Sequence, residues 1–176
     1  MLTDVLQAAC GVPFLRRLVV TESDAIRRIA RAAGVETLDA PLSTMNGAVT
    51  VGLRAASLAG ATGAVVLAAD LPLLESTDIE LVLTAAERAA IVIAPDRRRR
   101  GTNGLALTPP LVIAPAFGDG SYRRHTERVR MIGAEISTVT TPGLATDVDD
   151  REDLAFVRGA ASLGAHTAAF LAGHGG

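Results

Sequence analysis

Carboxylates standing at the ends of apolar runs are the residues of this chain best placed for chemistry. Asp70 follows "AVVLAA" (64–69) directly and precedes Leu71-Pro72. Pro72 cannot donate to a strand ladder and ends the run, so the carboxylate is held at the mouth of whatever sheet the run joins. An aspartate there can equally be a turn or capping residue. A second group, "TDVDDREDL" (146–154), holds five acids within the seven residues 147–153. Asp147 and Asp149 are two apart, and in an extended segment they share a face. Paired carboxylates repel unless a cation lies between them. Hard oxygen ligands suit Mg²⁺, which takes one or two carboxylates and leaves its other positions to phosphate oxygens and water. The later acids also suit a helix start, with Asp149 or Asp150 as cap and Glu152 and Asp153 in the first turn. That account leaves Asp147 unexplained.

Two loops have the chemistry of anion binding. In "DRRRRGTNG" (96–104), Arg97, Arg98, Arg99 and Arg100 can be solvated, as charge runs usually are, or can grip phosphate or carboxylate bidentately. Gly101 and Gly104 let backbone N–H groups approach an anion, and Thr102 adds a hydroxyl donor. The Walker spacing and its lysine are missing, so this is no P-loop. In "FGDGS" (117–121), Gly118 and Gly120 free the backbone, and Ser121 is placed to cap the helix that follows. A helix N-terminus attracts anions. Arg123, Arg124 and His125 lie in its first turns, His125 being either a site residue or an exposed helix residue. Two anion-seeking loops beside an acidic metal site suggest a phosphorylated acid meeting a nucleoside triphosphate.

These loops need a frame. β-Branched apolar runs at 17–21, 35–39, 63–70, 90–94, 104–108 and 135–140 read as strands. Helical periodicity fills 23–34, 46–59, 76–89, 121–133 and 151–164, and "MLTDVLQAAC" opens the chain as a helix. Ser23 can cap 23–34, with Ile26, Ile29 and Ala30 inward and Gly34 as its stop. Ser76 or Thr77 can cap 76–89. The run 63–70 is apolar on both faces and is expected at the centre of the sheet. The tail "LAGHGG" (171–176) is expected to fray. The alternation implies an α/β fold in three layers with a mainly parallel sheet and one domain over residues 1–176. Ligands of such sheets bind beyond the carboxyl ends of the strands. The loops after residues 69, 94 and 107 and near 147 are the ones so placed.

The bulk numbers exclude other classes. At 176 residues and 49% hydrophobic, the chain can bury a core, yet no apolar run reaches the roughly 18 residues of a membrane span. It does not open with a signal peptide, so the cytoplasm is expected. A net charge of −2 and 3% aromatics argue against nucleic-acid binding. Lysine is absent. The single cysteine, Cys10, is expected to be a small buried thiol.

The segments "AADLPLL", "APDRRRRGTNGLAL", "FGDGSYRRH" and "DVDDREDL" fall in the order in which they occur in the guanylyltransferases of coenzyme F-420 biosynthesis, and the chain resembles that family from about residue 15 to 160. The resemblance implies a MobA-like nucleotide-diphospho-sugar transferase fold of Rossmann-like type. It implies transfer of guanylyl from GTP to phosphoenolpyruvate, or to 2-phospho-L-lactate, giving enolpyruvoyl-2-diphospho-5′-guanosine and pyrophosphate in the first case. Carried over, Thr102, Gly118 and Ser121 match positions that hold the acid. Asp70 and Asp147 match the catalytic, magnesium-binding carboxylates, with Asp149 as helper. Asn46 in "MNGAV" resembles a position near the nucleotide, although Thr44 and Met45 depart from the pattern. Set against the family, the chain lacks an opening strand and a basic nucleotide loop. The expectation is a late start assignment, or else weakened GTP binding and a sheet unfilled at its middle. Two other readings stand beside this one: a different MobA-like nucleotidyltransferase, and a truncated, non-catalytic domain that binds a phosphometabolite.

Overall fold

The computed structural model describes residues 1–13, 16–40, 44–160 and 162–173. Among these the order is α1 (Leu2–Gly11), β1 (Leu18–Val20), α2 (Asp24–Ala32), β2 (Glu36–Leu38), α3 (Met45–Leu58), β3 (Ala64–Leu67), α4 (Ser76–Ala86), β4 (Ile91–Pro95), β5 (Thr102–Leu107), α5 (Ser121–Met131), β6 (Ile136–Thr138), α6 (Pro142–Ala145), α7 (Arg151–Arg158) and α8 (Ala165–Gly173). The tail 171–176, expected to fray, is helical as far as Gly173 at the end of α8; 174–176 and part of the turn-rich segment before α3 (41–43) lie outside the described residues.

Strands β4 and β5 are the middle of the molecule, buried at every residue. Their side chains alternate between two apolar layers, as period 2 demands. Val92, Ala94 and Ala106 join Val5 and Ala8 of α1 and Ile79 and Val82 of α4. Ile91, Ile93, Leu105 and Leu107 face the other way, onto Leu53 of α3 and Val129 of α5. Helices therefore cover both faces, the three layers expected.

The larger sheet has the order β3-β5-β4-β6, and β1 and β2 form a separate parallel pair. β3, β4 and β6 run one way, and β5 alone runs against them. The reversal has a length cause. Residues 96–101 join β4 to β5, and a parallel crossover needs about a dozen residues or more. The arginine run is therefore a hairpin connection at the carboxyl end of β4. β3, expected at the centre, lies at the edge of this sheet, and each of its residues is half-buried. Its apolar run reflects the helix laid over it, since α3 contacts both β1 and β3.

Several local expectations are corrected. Ile29 is exposed while Ala30 beside it is fully buried, because α2 turns a narrow stripe inward. Cys10 is exposed, since it follows buried Ala8 by two positions, about 200° around the helix. α4 begins one residue earlier than its hydroxyl caps suggest. The Glu75 N–H donates to Asp78 Oδ2 at 2.9 Å, while the Ser76 hydroxyl donates to the Ala8 carbonyl. Helices α6 and α8 had no counterpart in the sequence reading. α8 is held by buried Asp4, whose carboxylate accepts from the N–H groups of His166 and Thr167 and from the Thr167 hydroxyl. No helix among the described residues is long and apolar enough to cross a membrane.

Candidate active site

The β4–β5 connection is shaped by Asp96. Its carboxylate accepts from the Arg100 N–H at 2.8 Å, its carbonyl accepts from the Arg99 N–H at 3.1 Å, and its own N–H donates to the Gly101 carbonyl. The turn puts Arg99 at φ 53°. The Arg100 carbonyl then accepts from the Tyr122 N–H at 3.1 Å, and its guanidinium pairs with Asp119 at 3.0 Å. The two anion-seeking loops are thus in direct contact.

The second loop is fastened by its carbonyls. Arg124 donates to the carbonyls of Ala116, Phe117 and Asp119, and Arg128 to those of Ala114 and Pro115. The Asn46 amide brackets Phe117, accepting from its N–H at 2.7 Å and donating to its carbonyl at 3.1 Å. His125 Nε2 accepts from the Ala116 N–H at 2.9 Å. What remains are the N–H groups of Gly118, Asp119 and Gly120, which have no acceptor among the described residues. Gly118 at φ 105° and Gly120 at φ 69° make this turn, which side-chain-bearing residues adopt only under strain. Gly120, not Ser121, is the residue before α5, and no side chain caps the helix. Ser121 is instead its first residue and is buried. Successive free N–H groups at a helix N-terminus form an anion cradle.

The acids lie near one another. Asn103, buried on β5 next to Thr102, donates to the Leu144 carbonyl at 3.0 Å, and its amide favours the charged form of Asp147. Burial raises the pKa of Asp147, the Asn103 amide opposes this, and the charges of Asp149 and Asp96 raise it further. Burial also raises Asp70, assisted by the charges of Asp147 and Asp149. The carboxylates therefore sense one another across the loops after β3, after β4 and before α7. No group of three or more ligand-type side chains converges on one point among the described residues. The protein alone thus presents a site of two carboxylates, Asp70 and Asp147, with Asp149 adding charge beside them. Mutually repelling hard oxygens of this kind fit Mg²⁺ that completes its shell with phosphate and water.

The arginine run is largely spoken for. Arg97 donates to Asp153 at 2.6 Å and lies 4.1 Å from the ring centre of Phe156. Arg98 is within ion-pair reach of Asp150, Glu152 and Asp153 at the start of α7. Arg100 holds Asp119. Arg99 alone of the four has no carboxylate partner among the described residues. Three of the four charges that the sequence offered to a ligand thus join the loop to α7 and to the 117–121 turn.

The family model described as "Guanylyl transferase CofC like" matches residues 1–172. This chain belongs to that family. A phosphoenolpyruvate guanylyltransferase of Chloroflexus aggregans is 39% identical over 136 residues, covering 77% of this chain and 67% of that one. One of Geodermatophilus obscurus is 37% identical over 177 residues, covering 98% and 77%. A 3-phospho-D-glycerate guanylyltransferase of Phenylobacterium zucineum is 34% identical over 158 residues, covering 87% and 72%. Among solved structures, the 4-diphosphocytidyl-2C-methyl-D-erythritol synthase of Anaerococcus prevotii superposes with a TM-score of 0.67 at 12% identity, covering 88% of this chain and 85% of that one. A cytidylyltransferase of Leptospira borgpetersenii gives 0.62 at 16%, covering 87% and 71%. These likenesses establish the nucleotidyltransferase fold.

In this guanylyl transferase Asp70, Asp147 and Asp149 are near enough to act on one another's charge, Thr102 is buried against His125 of α5, and Gly118 and buried Ser121 flank the start of α5. Asn46 has its amide engaged by Phe117. Sequence reasoning passed over Asn103 and left His125 undecided. Asn103 gave no signal beyond its neighbours. His125 gave one: Ser121, His125 and Val129 recur at four-residue spacing, the inward stripe of α5.

Proposed function

We propose that this chain catalyses guanylyl transfer from GTP to phosphoenolpyruvate, as a cytoplasmic enzyme that uses Mg²⁺. A phosphate oxygen of the acid attacks the α-phosphorus of GTP. The bond to the β-phosphate breaks, pyrophosphate departs in line, and a new diphosphate linkage joins the acid to the guanosine. No protein nucleophile is required. The observation that carries this reading is the contact of the 118–120 N–H cradle with the 96–101 connection, through Arg100 with Asp119 and Tyr122, next to Thr102 at the start of β5. One small doubly anionic acid can reach both.

In this reading the N–H groups of 118–120 and the hydroxyls of Thr102 and Ser121 bind and orient the acid. Asp70 and Asp147 would hold Mg²⁺, with Asp149 raising the local negative potential. When bound, the ion supplies neutralisation of charge on the two phosphates. Asn46, which fixes Phe117, remains the residue proposed beside the nucleotide. The choice of phosphoenolpyruvate follows the names of the Chloroflexus and Geodermatophilus relatives.

The test is pyrophosphate release with GTP, Mg²⁺ and each of phosphoenolpyruvate, 2-phospho-L-lactate and 3-phospho-D-glycerate, with the product weighed by mass spectrometry. Turnover greatest with phosphoenolpyruvate is expected. Greater turnover with 3-phospho-D-glycerate, the acid in the name of the Phenylobacterium relative, would reassign the acceptor. Binding of an acid with no turnover would leave a non-catalytic domain.

A further inference from the structure

Among the described residues His125 is the one fully buried histidine, on the inward stripe of α5 and edge-to-face against Phe117 at 5.0 Å. Both ring nitrogens are engaged. Nε2 is 2.9 Å from the Ala116 N–H, and Nδ1 is 3.0 Å from Thr102 Oγ1. A backbone N–H can only donate, so Nε2 must be the bare, accepting nitrogen. In a neutral ring the proton then resides on Nδ1, which donates to Thr102 Oγ1. Burial, with the adjacent Arg128 and Arg124 guanidiniums, keeps the ring neutral, its pKa lowered to about 4. The consequence falls on Thr102. Its oxygen accepts from the ring, so its own hydrogen cannot point there, and no acceptor for it exists among the described residues.

We propose that His125 is a positioning residue: by its fixed tautomer it turns the Thr102 hydroxyl hydrogen outward as a donor to the anionic acid substrate. The Ala116 N–H, held by the loop that forms the 118–120 cradle, thereby sets the polarity of a hydroxyl on another element. With the opposite tautomer the hydroxyl would donate to the ring and present only lone pairs, which repel an anion. The proposal rests on the reading of Thr102 as a contact to the acid.

Two measurements test it. A long-range ¹H–¹⁵N spectrum of the wild-type chain is expected to show His125 protonated at Nδ1 and bare at Nε2. A proton on Nε2 would overturn the proposal, and this readout needs no activity. In transfer assays with GTP and phosphoenolpyruvate, His125→Gln, which loses the donor near Nδ1, is expected to raise the KM for the acid roughly tenfold, with the KM for GTP little changed. His125→Asn, whose amide can donate near the Nδ1 position, is expected to recover part of that loss. Combined with Thr102→Val, His125→Gln is expected to add little, since the hydroxyl it orients is gone. Additive losses in the double variant, or equal rises in both KM values, would show a merely structural role. If wild type uses none of the acids, the functional reading falls and the spectrum still decides the tautomer.

Discussion

Acid should weaken this fold through His125 in particular. The free side chain has a pKa of 6.5, and in the folded protein burial and the guanidiniums of Arg128 and Arg124 lower it to about 4. Among the described residues no carboxylate contacts it: Thr102 faces it from β5, and the Ala116 N–H and Phe117 ring face it from the loop. A depressed folded-state value means that the unfolded chain takes the proton first. The stabilisation is therefore complete above pH 6.5 and is lost as pH falls toward 4. Over that window one extra proton bound by the unfolded state gives a slope of about 1.4 kcal/mol per pH unit, or about 3 kcal/mol in all. Urea unfolding at intervals from pH 7 to 4.5 measures the slope directly. Wild type minus His125→Gln isolates this group, because the carboxylates titrate in both proteins. Parallel pH dependences for the two would refute the buried, uncharged imidazole, whatever the absolute stabilities.

The remaining expectations concern the carboxylates, the cradle and the termini. Asp70→Asn removes a charge whose pKa is raised by burial and by Asp147 and Asp149; in scanning fluorimetry above pH 7 the metal-free variant should melt higher than wild type, fail to gain from Mg²⁺, and lack turnover. A lower melting point would contradict the repulsion between these groups. Thr102→Val should raise the KM for the acid roughly ten- to a hundredfold, the value of a hydrogen bond to a charged group, with the KM for GTP steady in the same assay. Gly118→Ala, at φ 105°, should cost about 1–3 kcal/mol in urea unfolding and weaken acid binding in calorimetry. Asp4→Ala should cost about 1–3 kcal/mol by releasing the start of α8, with kcat and both KM values within about twofold of wild type.

What the sequence disclosed and what it withheld divide along local and non-local interactions. Asp70 before Pro72, the spacing of Asp147 and Asp149, and the glycines at 118 and 120 are patterns within a few residues; the structure brings the three aspartates within reach of one another's charge and puts the two glycines in the turn before α5. The reversal of β5 was also local, written in the short 96–101 connection, but it was outweighed by the strand–helix rhythm elsewhere. The place of β3 at a sheet edge was not legible, because an apolar run reads alike under a helix and between two strands. The arginines are the instructive case. Counted along the chain, four adjacent cations promise a phosphate site. In space, acids far along the sequence take three of them: Asp119, and the Asp150, Glu152 and Asp153 cluster that opens α7. Charge that could have met a ligand instead fixes two loops against each other. Under the proposed function the groups left for the acid are mainly backbone N–H donors and the hydroxyls of Thr102 and Ser121, which would hold a small anion by direction more than by net charge. Such a site would depend on how each donor is aimed, so under the proposal the carbonyl contacts of Arg124 and Arg128 and the tautomer of His125 would matter to recognition as much as any residue that touches the acid.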